Sequence, residues 1–416
     1  MQISTPTLRS DGVYMKKINR YVITEDSCFV KSGSPDEPGK ILISEHNFER
    51  IDDFAATRKY SVMQKITLPD GREALRPTRY VGIVMLKDGT QIEILPRICE
   101  DFDENVVASK MLILYMLDAI KEIPVKKVDE RYFKKEQLNL FEICVRMYAD
   151  DVLNVIMGGL KQTYVPYRGN EMFVKGKTIY SEHAKKNFAH KEKLFCEYDV
   201  FSVDRAENRL MKKALEMLNK LSSNNLNKKQ LNMLIMALDE VEASKNINND
   251  FKQCTGDRGM VKYFKVMKWC RLFMKNNGTT FFTGGKVKYA MLFHMDKLFS
   301  ACIASSLRKQ IDRTNYYFLT PEKISNSISN TGMDKDLRPI SDFYIKNRLT
   351  ENTINVTFKF KDIKDYKGPE SENTVLVFPI TQVLNTSFNG IGKTMYLIDL
   401  KDIDSSVSVL TETFFV

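Results

Sequence analysis

Residues 295–379 contain the ordered set of segments that most constrains the fold of this chain. A helix-like apolar segment at 295–303 is followed, within 337–342, by an aspartate three residues after a proline. Residues 354–364 then alternate between apolar and polar side chains, which is typical of a half-buried strand. A further apolar run at 374–379 predicts a buried strand. This order of segments predicts an α/β domain with the arrangement of a metal-dependent nuclease core.

The chemistry of such a core defines candidate catalytic residues within this region. Two carboxylates would hold Mg²⁺ beside a scissile phosphate, where the metal lowers the pKa of a bound water and neutralises developing charge. A lysine two residues beyond the second carboxylate lies on the same strand face and would stabilise the transition state. We predict that Asp342 is the first metal ligand, and that Asp362 and Lys364 are the second ligand and the lysine.

The overall charge of the chain favours an acidic partner. The 416 residues include 63 Lys and Arg against 53 Asp and Glu, which gives a formal net charge of +10. An excess of this kind is typical of proteins that contact nucleic acid, although it also occurs without a specific meaning. The charge pattern therefore supports DNA as a partner but does not establish it.

Cysteine usage and hydropathy predict a cytoplasmic protein without a membrane span. The seven cysteines are scattered and form no CxxC pair, so we expect neither a zinc knuckle nor a disulfide framework. The longest apolar run, 111–117, is far shorter than the roughly 20 residues that cross a bilayer. Residues 1–13 lack the basic-then-apolar pattern of a signal peptide.

The N-terminal 105 residues are predicted to be rich in strands. The clearest hairpin joins 81–86 to 90–96 through the turn Lys87-Asp88-Gly89, whose Asp-Gly pair supplies a residue that tolerates positive φ. A basic segment precedes this hairpin, and it is either a solvated surface or a projecting finger that inserts into a partner. The cations that would line such a finger are Arg58, Lys59, Arg72, Arg76 and Arg79.

The middle of the chain is predicted to be mainly helical. Apolar residues recur at spacings of three and four from residue 108 onward, with an extended segment at 195–204. Residues 262–273 interleave aromatic and cationic side chains, including Trp269. These aromatic residues either form the buried stripe of a helix, which the spacing favours, or a stacking surface for a nucleic acid strand.

Three segments carry motifs that occur together in one protein family. The predicted hairpin ends in Ile94-Leu95-Pro96-Arg97, and the middle region contains Val174-Lys175-Gly176-Lys177 and Asn208-Arg209-Leu210-Met211-Lys212. The helix-like segment 295–303 completes the set. In order and approximate spacing, these segments resemble the McrC subunits of McrBC-type, modification-dependent restriction systems.

The resemblance implies a partner, a fold and an activity. McrC-like subunits pair with an McrB-like AAA+ GTPase hexamer, and their N-terminal part inserts into the ring and stimulates hydrolysis. Their C-terminal PD-(D/E)xK domain cleaves DNA with Mg²⁺. On this basis we expect an α+β multidomain protein with three domains: a β-rich partner-docking domain (1–105), a mainly helical middle domain (106–285) and a PD-(D/E)xK-like α/β domain (286–416).

The resemblance also allows a second assignment, or register, of the candidate catalytic residues. In addition, two features of the chain depart from the family pattern. In this register Lys359 is the catalytic lysine, and Thr357 replaces the second acid. Ser300 stands where the family has a glutamate in the entry helix, and only residues 365–373 separate Lys364 from the next apolar run. The nuclease domain is therefore either degenerate or active in an atypical form.

Three functions follow from these alternatives. The chain is a Mg²⁺-dependent endonuclease subunit of an antiphage complex, a catalytically dead adaptor that activates the GTPase, or a basic DNA-binding protein that acts alone. The first two require a GTPase partner, whereas the third does not.

Overall fold

The structure is a computed structural model that divides the chain into two compact units. The first unit comprises Met1–Ile143 and Asn276–Val416, and the second comprises Cys144–Lys275. The described residues are 19–32, 37–56, 62–98, 102–119, 138–190, 192–254, 261–274, 287–311, 315–319, 342–348, 350, 353–358, 374–379 and 394–415. Within these residues, no helix is long and apolar enough to cross a membrane.

The N-terminal part of the first unit consists of short strands and two helices. Its elements are β1 (Arg20–Thr24), β2 (Cys28–Val30), β3 (Lys40–Leu42), α1 (Glu45–Ala56), β4 (Met63–Thr67), β5 (Glu73–Pro77), β6 (Tyr80–Leu86), β7 (Gln91–Leu95) and α2 (Phe102–Ala119). One four-stranded sheet has the order β3-β2-β5-β4. Helix α1 buries Phe48, Ile51 and Phe54 in a core shared with Phe29, because apolar residues three apart lie on one face of a helix.

A second four-stranded sheet contains the predicted hairpin. Strands β6 and β7 pair antiparallel, which confirms the hairpin, and Gly89 adopts a φ of 98° in the turn. Strand β11 (Val287–His294) also joins this sheet and gives the order β1-β7-β6-β11. Gly82 permits this pairing, since a Cβ atom at residue 82 would collide with the carbonyl oxygen of Met291.

The second unit combines a three-stranded sheet with helices. Helix α3 (Leu140–Met157) begins in the first unit and continues into the second. The other elements are β8 (Thr163–Glu171), β9 (Lys177–Thr178), α4 (Tyr180–Lys186), β10 (Leu194–Ser202), α5 (Ala206–Leu221), α6 (Asn225–Ala237), α7 (Ile247–Gln253) and α8 (Val261–Met274). The strands lie in the order β8-β10-β9, with both pairings antiparallel.

Helix α8 confirms the buried aromatic stripe that was favoured for residues 262–273. Trp269 and Phe273 are fully buried and their rings stack, with centroids 5.7 Å apart. The indole Nε1 of Trp269 donates a hydrogen bond of 3.0 Å to Asp151 of α3. A buried indole needs such an acceptor, so this bond fixes which face of α8 points into the core.

The C-terminal part of the first unit forms a five-stranded mixed sheet with a helix before it and a helix after it. Its elements are α9 (Met295–Gln310), β12 (Tyr316–Leu319), β13 (Asp342–Asn347), β14 (Thr353–Phe358), β15 (Thr374–Pro379), β16 (Thr394–Ile398) and α10 (Ile403–Phe415). Strands β12, β13 and β14 pair antiparallel, whereas β14, β15 and β16 pair parallel. The described chain is thus a mixed α/β protein with several small sheets. The three-domain division at 105 and 285 stays a prediction.

Candidate functional sites

The C-terminal sheet positions the backbone of one predicted metal ligand. Asp342 is the first residue of β13, and the antiparallel register places its Cα opposite that of Thr357 in β14. Strand β14 ends at Phe358, so the predicted residues Lys359, Asp362 and Lys364 lie outside the described residues. Of Asp342 itself only the backbone is described, and both registers of the candidate active site remain predictions.

The connection after β14 is long enough for a crossover to the parallel strand β15. Residues 359–373 join Phe358 to Thr374. Parallel strands need a crossover of about a dozen residues or more, and a connection of 15 residues meets that need. If Lys364 is the lysine, residues 365–373 remain a shorter spacing than the family pattern has, and this departure stays a prediction.

Ser300 has a structural role within α9. Its side chain is buried, and its hydroxyl donates a 2.7 Å hydrogen bond to the carbonyl oxygen of Asp296 one turn earlier. Such a bond satisfies the hydroxyl within its own helix, and a neutral serine brings no charge for a metal. Among the described residues, no group of three His, Cys, Asp or Glu side chains could hold a metal ion.

Arg72, one of the predicted partner-binding cations, is engaged inside the chain. Its guanidinium donates to Glu37 at 2.6 Å, to Asp70 at 2.6 Å and to the carbonyl oxygen of Ser32 at 2.7 Å. Hydrogen bonds from Arg72 are the main cause that lowers the pKa of Asp70. Arg72 thus ties the turn between β4 and β5 to the segment that follows β2.

The remaining predicted partner-binding cations differ in their surroundings. Arg79 is half exposed and forms an ion pair of 3.2 Å with Asp296 in the first turn of α9. Arg76 is exposed on β5 and forms no ion pair with any described residue. Arg58 and Lys59 lie outside the described residues. Partner contact by any of these five cations stays a prediction.

The second unit carries an exposed aromatic surface that was not singled out from the sequence. We call the paired strands β8 and β10 and the chain between them (residues 163–202) the ribbon. Strand β8 is exposed along most of its length, which is unusual for so many large apolar side chains. The exposed aromatic residues of the ribbon are Tyr164, Tyr167, Phe173, Tyr180, Phe188 and Phe201. Phe188 is 86% exposed and Phe173 is 77% exposed.

Three cations of the ribbon form ion pairs with carboxylates of the ribbon itself. Arg168 lies 2.7 Å from Glu197, and Lys175 lies 3.0 Å from Glu171. Lys186 pairs with Glu182 at 3.1 Å. Six exposed aromatic side chains lie beside these ion pairs, and aromatic residues are enriched in protein–protein interfaces.

The motif Val174-Lys175-Gly176-Lys177 shapes the end of the ribbon. Gly176 has a φ of 64°, and a Cβ atom there would lie 2.5 Å from the carbonyl oxygen of Glu197 and 2.6 Å from the Cβ of Tyr198. Only glycine tolerates both the conformation and the contact. The motif therefore lets the loop lie directly against β10.

Asn208, from the second motif of the middle region, links the two chain segments at the base of the ribbon, just before β8 and just after β10. Its amide nitrogen donates to the carbonyl oxygens of Val203 at 2.7 Å and Lys161 at 3.1 Å. Its amide oxygen accepts a 2.8 Å hydrogen bond from the buried Tyr263 hydroxyl of α8. The side chain thus joins the segments that enter β8 and leave β10 to the helical part of the unit.

Arg209 of the same motif contacts α7, and Lys212 contacts the loop after α6. Arg209 lies 3.0 Å from Asp250, and hydrogen bonding to that carboxylate is the first cause that raises the pKa of Arg209. The Lys212 ammonium donates to the carbonyl oxygens of Leu238 at 3.0 Å and Val241 at 2.7 Å. These contacts give the motif a structural role.

A buried charged cluster in the first unit was also missed. Glu93 of β7 is fully buried and accepts hydrogen bonds from Arg20 at 2.8 Å and from the backbone N–H of Leu140 at 2.7 Å. Lys110 of α2 lies 3.3 Å from the same carboxylate. Burial alone would raise the pKa of Glu93, but the positive charges of Lys110 and Arg20 outweigh it and lower that pKa. The cluster anchors the first residue of α3 to the sheet.

Comparison with known proteins gives one family and two similar solved structures. The family model described as McrBC 5-methylcytosine restriction system component matches residues 75–376. A chain of the refined half-complex from the tetradecameric assembly of Thermococcus gammatolerans McrB AAA+ hexamers with bound McrC has a TM-score of 0.65 at 16% identity, over 95% of this chain and 99% of that chain. A chain of the cryo-EM structure of the Thermococcus gammatolerans McrBC complex has a TM-score of 0.52 at 18% identity, over 70% of this chain and 88% of that chain. At these identities the likeness shows a shared fold. No curated protein matches the sequence.

Proposed function

Because the chain belongs to the McrBC 5-methylcytosine restriction system component family, we propose that it is the McrC-like component of an antiphage DNA restriction complex. Its partner is an McrB-like AAA+ GTPase hexamer, whose GTP hydrolysis it stimulates. Support comes from the fold that the chain shares with structures of McrB AAA+ hexamers with bound McrC. Family membership also disfavours a basic DNA-binding protein that acts alone.

The observation that carries the docking proposal is the exposed aromatic surface of the ribbon. Several of its charges are paired internally, and a partner would cover apolar side chains such as Phe173 and Phe188. Covering one such side chain is worth about 1.5–3 kcal/mol. The ribbon therefore docks onto the GTPase ring, and Arg76 of the N-terminal region is a second candidate contact.

Truncation of the exposed aromatic residues tests this docking surface. Phe173→Ala and Phe188→Ala should each weaken binding to the GTPase by about 10- to 100-fold, measured by titration with the purified hexamer. Both residues are exposed, so the fold should be unaffected. Met236→Ala, which removes another exposed apolar side chain of the second unit, is the matched control. Unchanged affinity in both phenylalanine variants would exclude the ribbon, and a loss in Arg76→Ala alone would assign docking to the N-terminal region.

The C-terminal sheet is proposed to be a PD-(D/E)xK-like domain that engages DNA. The order of α9, β13 and β14, followed by a crossover to the parallel strand β15, supports this proposal. Asp342 begins β13, as expected for a ligand at a strand end. In an active domain, Asp342 and Asp362 would hold Mg²⁺, and Lys364 or Lys359 would stabilise the transition state.

A catalytically dead adaptor is the second candidate function, and two observations favour it. The buried Ser300 hydroxyl is bound to its own helix where the family has an acid. The residue opposite Asp342 in the strand pairing is Thr357 rather than an acid. In that role the C-terminal domain contributes DNA contact or assembly without cleavage.

A cleavage assay separates the two candidates. The chain is incubated with its GTPase, GTP, Mg²⁺, and modified or unmodified DNA. Nicking that Asp342→Ala abolishes would establish the nuclease, and Asp362→Asn compared with Lys359→Met would identify the register. Stimulated GTP hydrolysis without nicking would establish the adaptor.

A further inference from the structure

The positive charge of the chain is concentrated in the second unit. Residues 144–275 contain 24 Lys and Arg against 15 Asp and Glu, a net charge of +9. The rest of the chain contains 39 against 38, a net charge of +1. A charge imbalance of this size in 132 residues is the electrostatic pattern of a polyanion-binding unit.

Helix α8 presents a cationic outer face within this unit. Its inner face is fixed by the buried Trp269 and its bond to Asp151. The opposite face carries Lys265, Lys268 and Arg271 on successive turns, about 4.5 Å apart along the axis at 1.5 Å per residue. The sequence of α8 contains no acidic residue.

Two cations of α8 have no carboxylate beside them among the described residues, unlike Arg168 and Lys175 of the ribbon, which are bound to carboxylates. On α8, Lys265 and Arg271 form no ion pair with a described residue. A partner with phosphate groups would supply the missing negative charge, whereas an apolar protein surface would have to desolvate these cations without compensation.

An exposed aromatic ring lies among these cations. Phe264 is 60% exposed on the outer face of α8, and the Lys268 ammonium lies 4.6 Å from its ring centroid. The Arg271 guanidinium lies 5.7 Å from the ring centroid of Phe251 in α7. Cations interleaved with an accessible aromatic ring suit an unpaired strand, because the cations contact phosphates and the ring stacks on a base. In a duplex the bases are already stacked on one another.

We propose that the outer face of α8 is a binding site for single-stranded nucleic acid. Lys265, Lys268 and Arg271 neutralise backbone phosphates, and Phe264 stacks on a base. This site uses none of the residues of the C-terminal sheet and none of the exposed aromatic side chains of the ribbon. It does not depend on whether the C-terminal domain cleaves DNA.

Salt-dependent binding tests the proposal on the full chain. Fluorescence anisotropy is measured with a labelled single-stranded DNA, a single-stranded RNA and a duplex of the same sequence. The combined variant Lys265→Gln, Lys268→Gln and Arg271→Gln should reduce the slope of log affinity against log salt by about 2, since each lost phosphate contact on a single strand removes about 0.7. Phe264→Ala should lower single-strand affinity about 5- to 150-fold with an unchanged slope.

The matched control removes the same charge elsewhere in the second unit. The combined variant Lys177→Gln, Lys185→Gln and Lys186→Gln on the ribbon should keep the slope of the wild-type protein for single strands. An equal loss in this control would overturn the proposal, since binding would then follow overall charge. The proposal would also be overturned if the α8 variant bound single strands with the affinity and salt slope of the wild-type protein. It would be overturned as well if the protein bound the duplex more tightly than the single strand and Phe264→Ala did not change that difference.

Binding and stimulation of the GTPase distinguish this proposal from the docking proposal. The α8 variant should bind and stimulate the GTPase as the wild-type protein does, while Phe173→Ala and Phe188→Ala should keep the salt slope. Loss of GTPase binding in the α8 variant with unchanged DNA binding would assign the α8 face to the protein partner and overturn the nucleic-acid site.

Discussion

Single residues in this protein decide whether neighbouring segments can approach each other. Gly82 lets β11 pair with β6, and Gly176 lets the loop of the ribbon lie on β10. Asn208 joins three segments through one amide side chain. The motif residues that carried the family resemblance in the middle region thus act mainly through structure.

Substitution of Gly82 tests this interpretation. Gly82→Ala should destabilise the protein by at least about 1–3 kcal/mol, because the new Cβ would meet the Met291 carbonyl and the backbone φ is 133°. Gly71→Ala is the control, since Gly71 also has a positive φ of 83° but open space around it. Urea unfolding measures both. Equal losses in the two variants would show that backbone strain, and not the approach of β11, accounts for the effect.

Asn208→Ala tests the base of the ribbon. The substitution leaves the carbonyl oxygens of Val203 and Lys161 and the buried Tyr263 hydroxyl without this partner, which should cost about 1–3 kcal/mol. Hydrogen exchange should increase in β8 and β10 more than in β6 and β7. Asn219→Ala, which removes an exposed side-chain hydrogen bond to Asn232, is the control and should change little. If hydrogen exchange in the Asn208 variant increased no more in β8 and β10 than in β6 and β7, this role of Asn208 would be contradicted.

At the scale of elements, sequence pattern predicted those segments whose signals are local. The hairpin of β6 and β7 followed from β-branched residues and an Asp-Gly turn, and the buried stripe of α8 followed from helical spacing. Strand β11 was missed because it is buried along nearly its whole length and shows no alternation. The extended segment predicted at 195–204 corresponds to β10, but the exposure of the ribbon's aromatic side chains was missed because apolar residues in a strand normally indicate a core.

The Glu93 cluster, where β7 contacts α2 and the first residue of α3, gives a prediction about stability. Glu93→Gln leaves Lys110 buried without its carboxylate and should cost about 3–5 kcal/mol. Asp26→Asn, which breaks an exposed pair with Arg97, should cost about 0–1 kcal/mol. Chemical denaturation at pH 7 compares the two, and a loss below about 1 kcal/mol in the Glu93 variant would show that the cluster is not a stabilising anchor.

The same cluster predicts a pH dependence. The pKa of Glu93 is lower in the folded chain than its ordinary value, so the unfolded chain binds more protons in acid. Its contribution is fully present above the unfolded pKa of about 4.3 and is lost as the pH falls through the folded pKa. The fall in unfolding free energy below about pH 5 should be shallower in Glu93→Gln than in the wild-type protein. Parallel curves would indicate that Glu93 does not titrate across this range.

For the whole molecule, the sequence predicted the family but not the placement of charge and apolar surface. The net charge of +10 does not by itself say which part of the chain carries it. The division into two units shows that almost all of it lies in residues 144–275. This unit interrupts the first unit in sequence, so its boundaries do not follow from composition alone. The docking surface expected in the N-terminal 105 residues is now proposed mainly for the ribbon.

The most direct test of the central claim is the GTP hydrolysis rate of the McrB-like hexamer, titrated with this chain. We expect the wild-type chain to raise the rate to a plateau and Met236→Ala to behave identically. Phe173→Ala combined with Phe188→Ala should require far higher concentrations or give no stimulation. A rate that does not respond to the wild-type chain, or that responds equally to the phenylalanine variant, would contradict the account of an McrC-like subunit that docks through its ribbon.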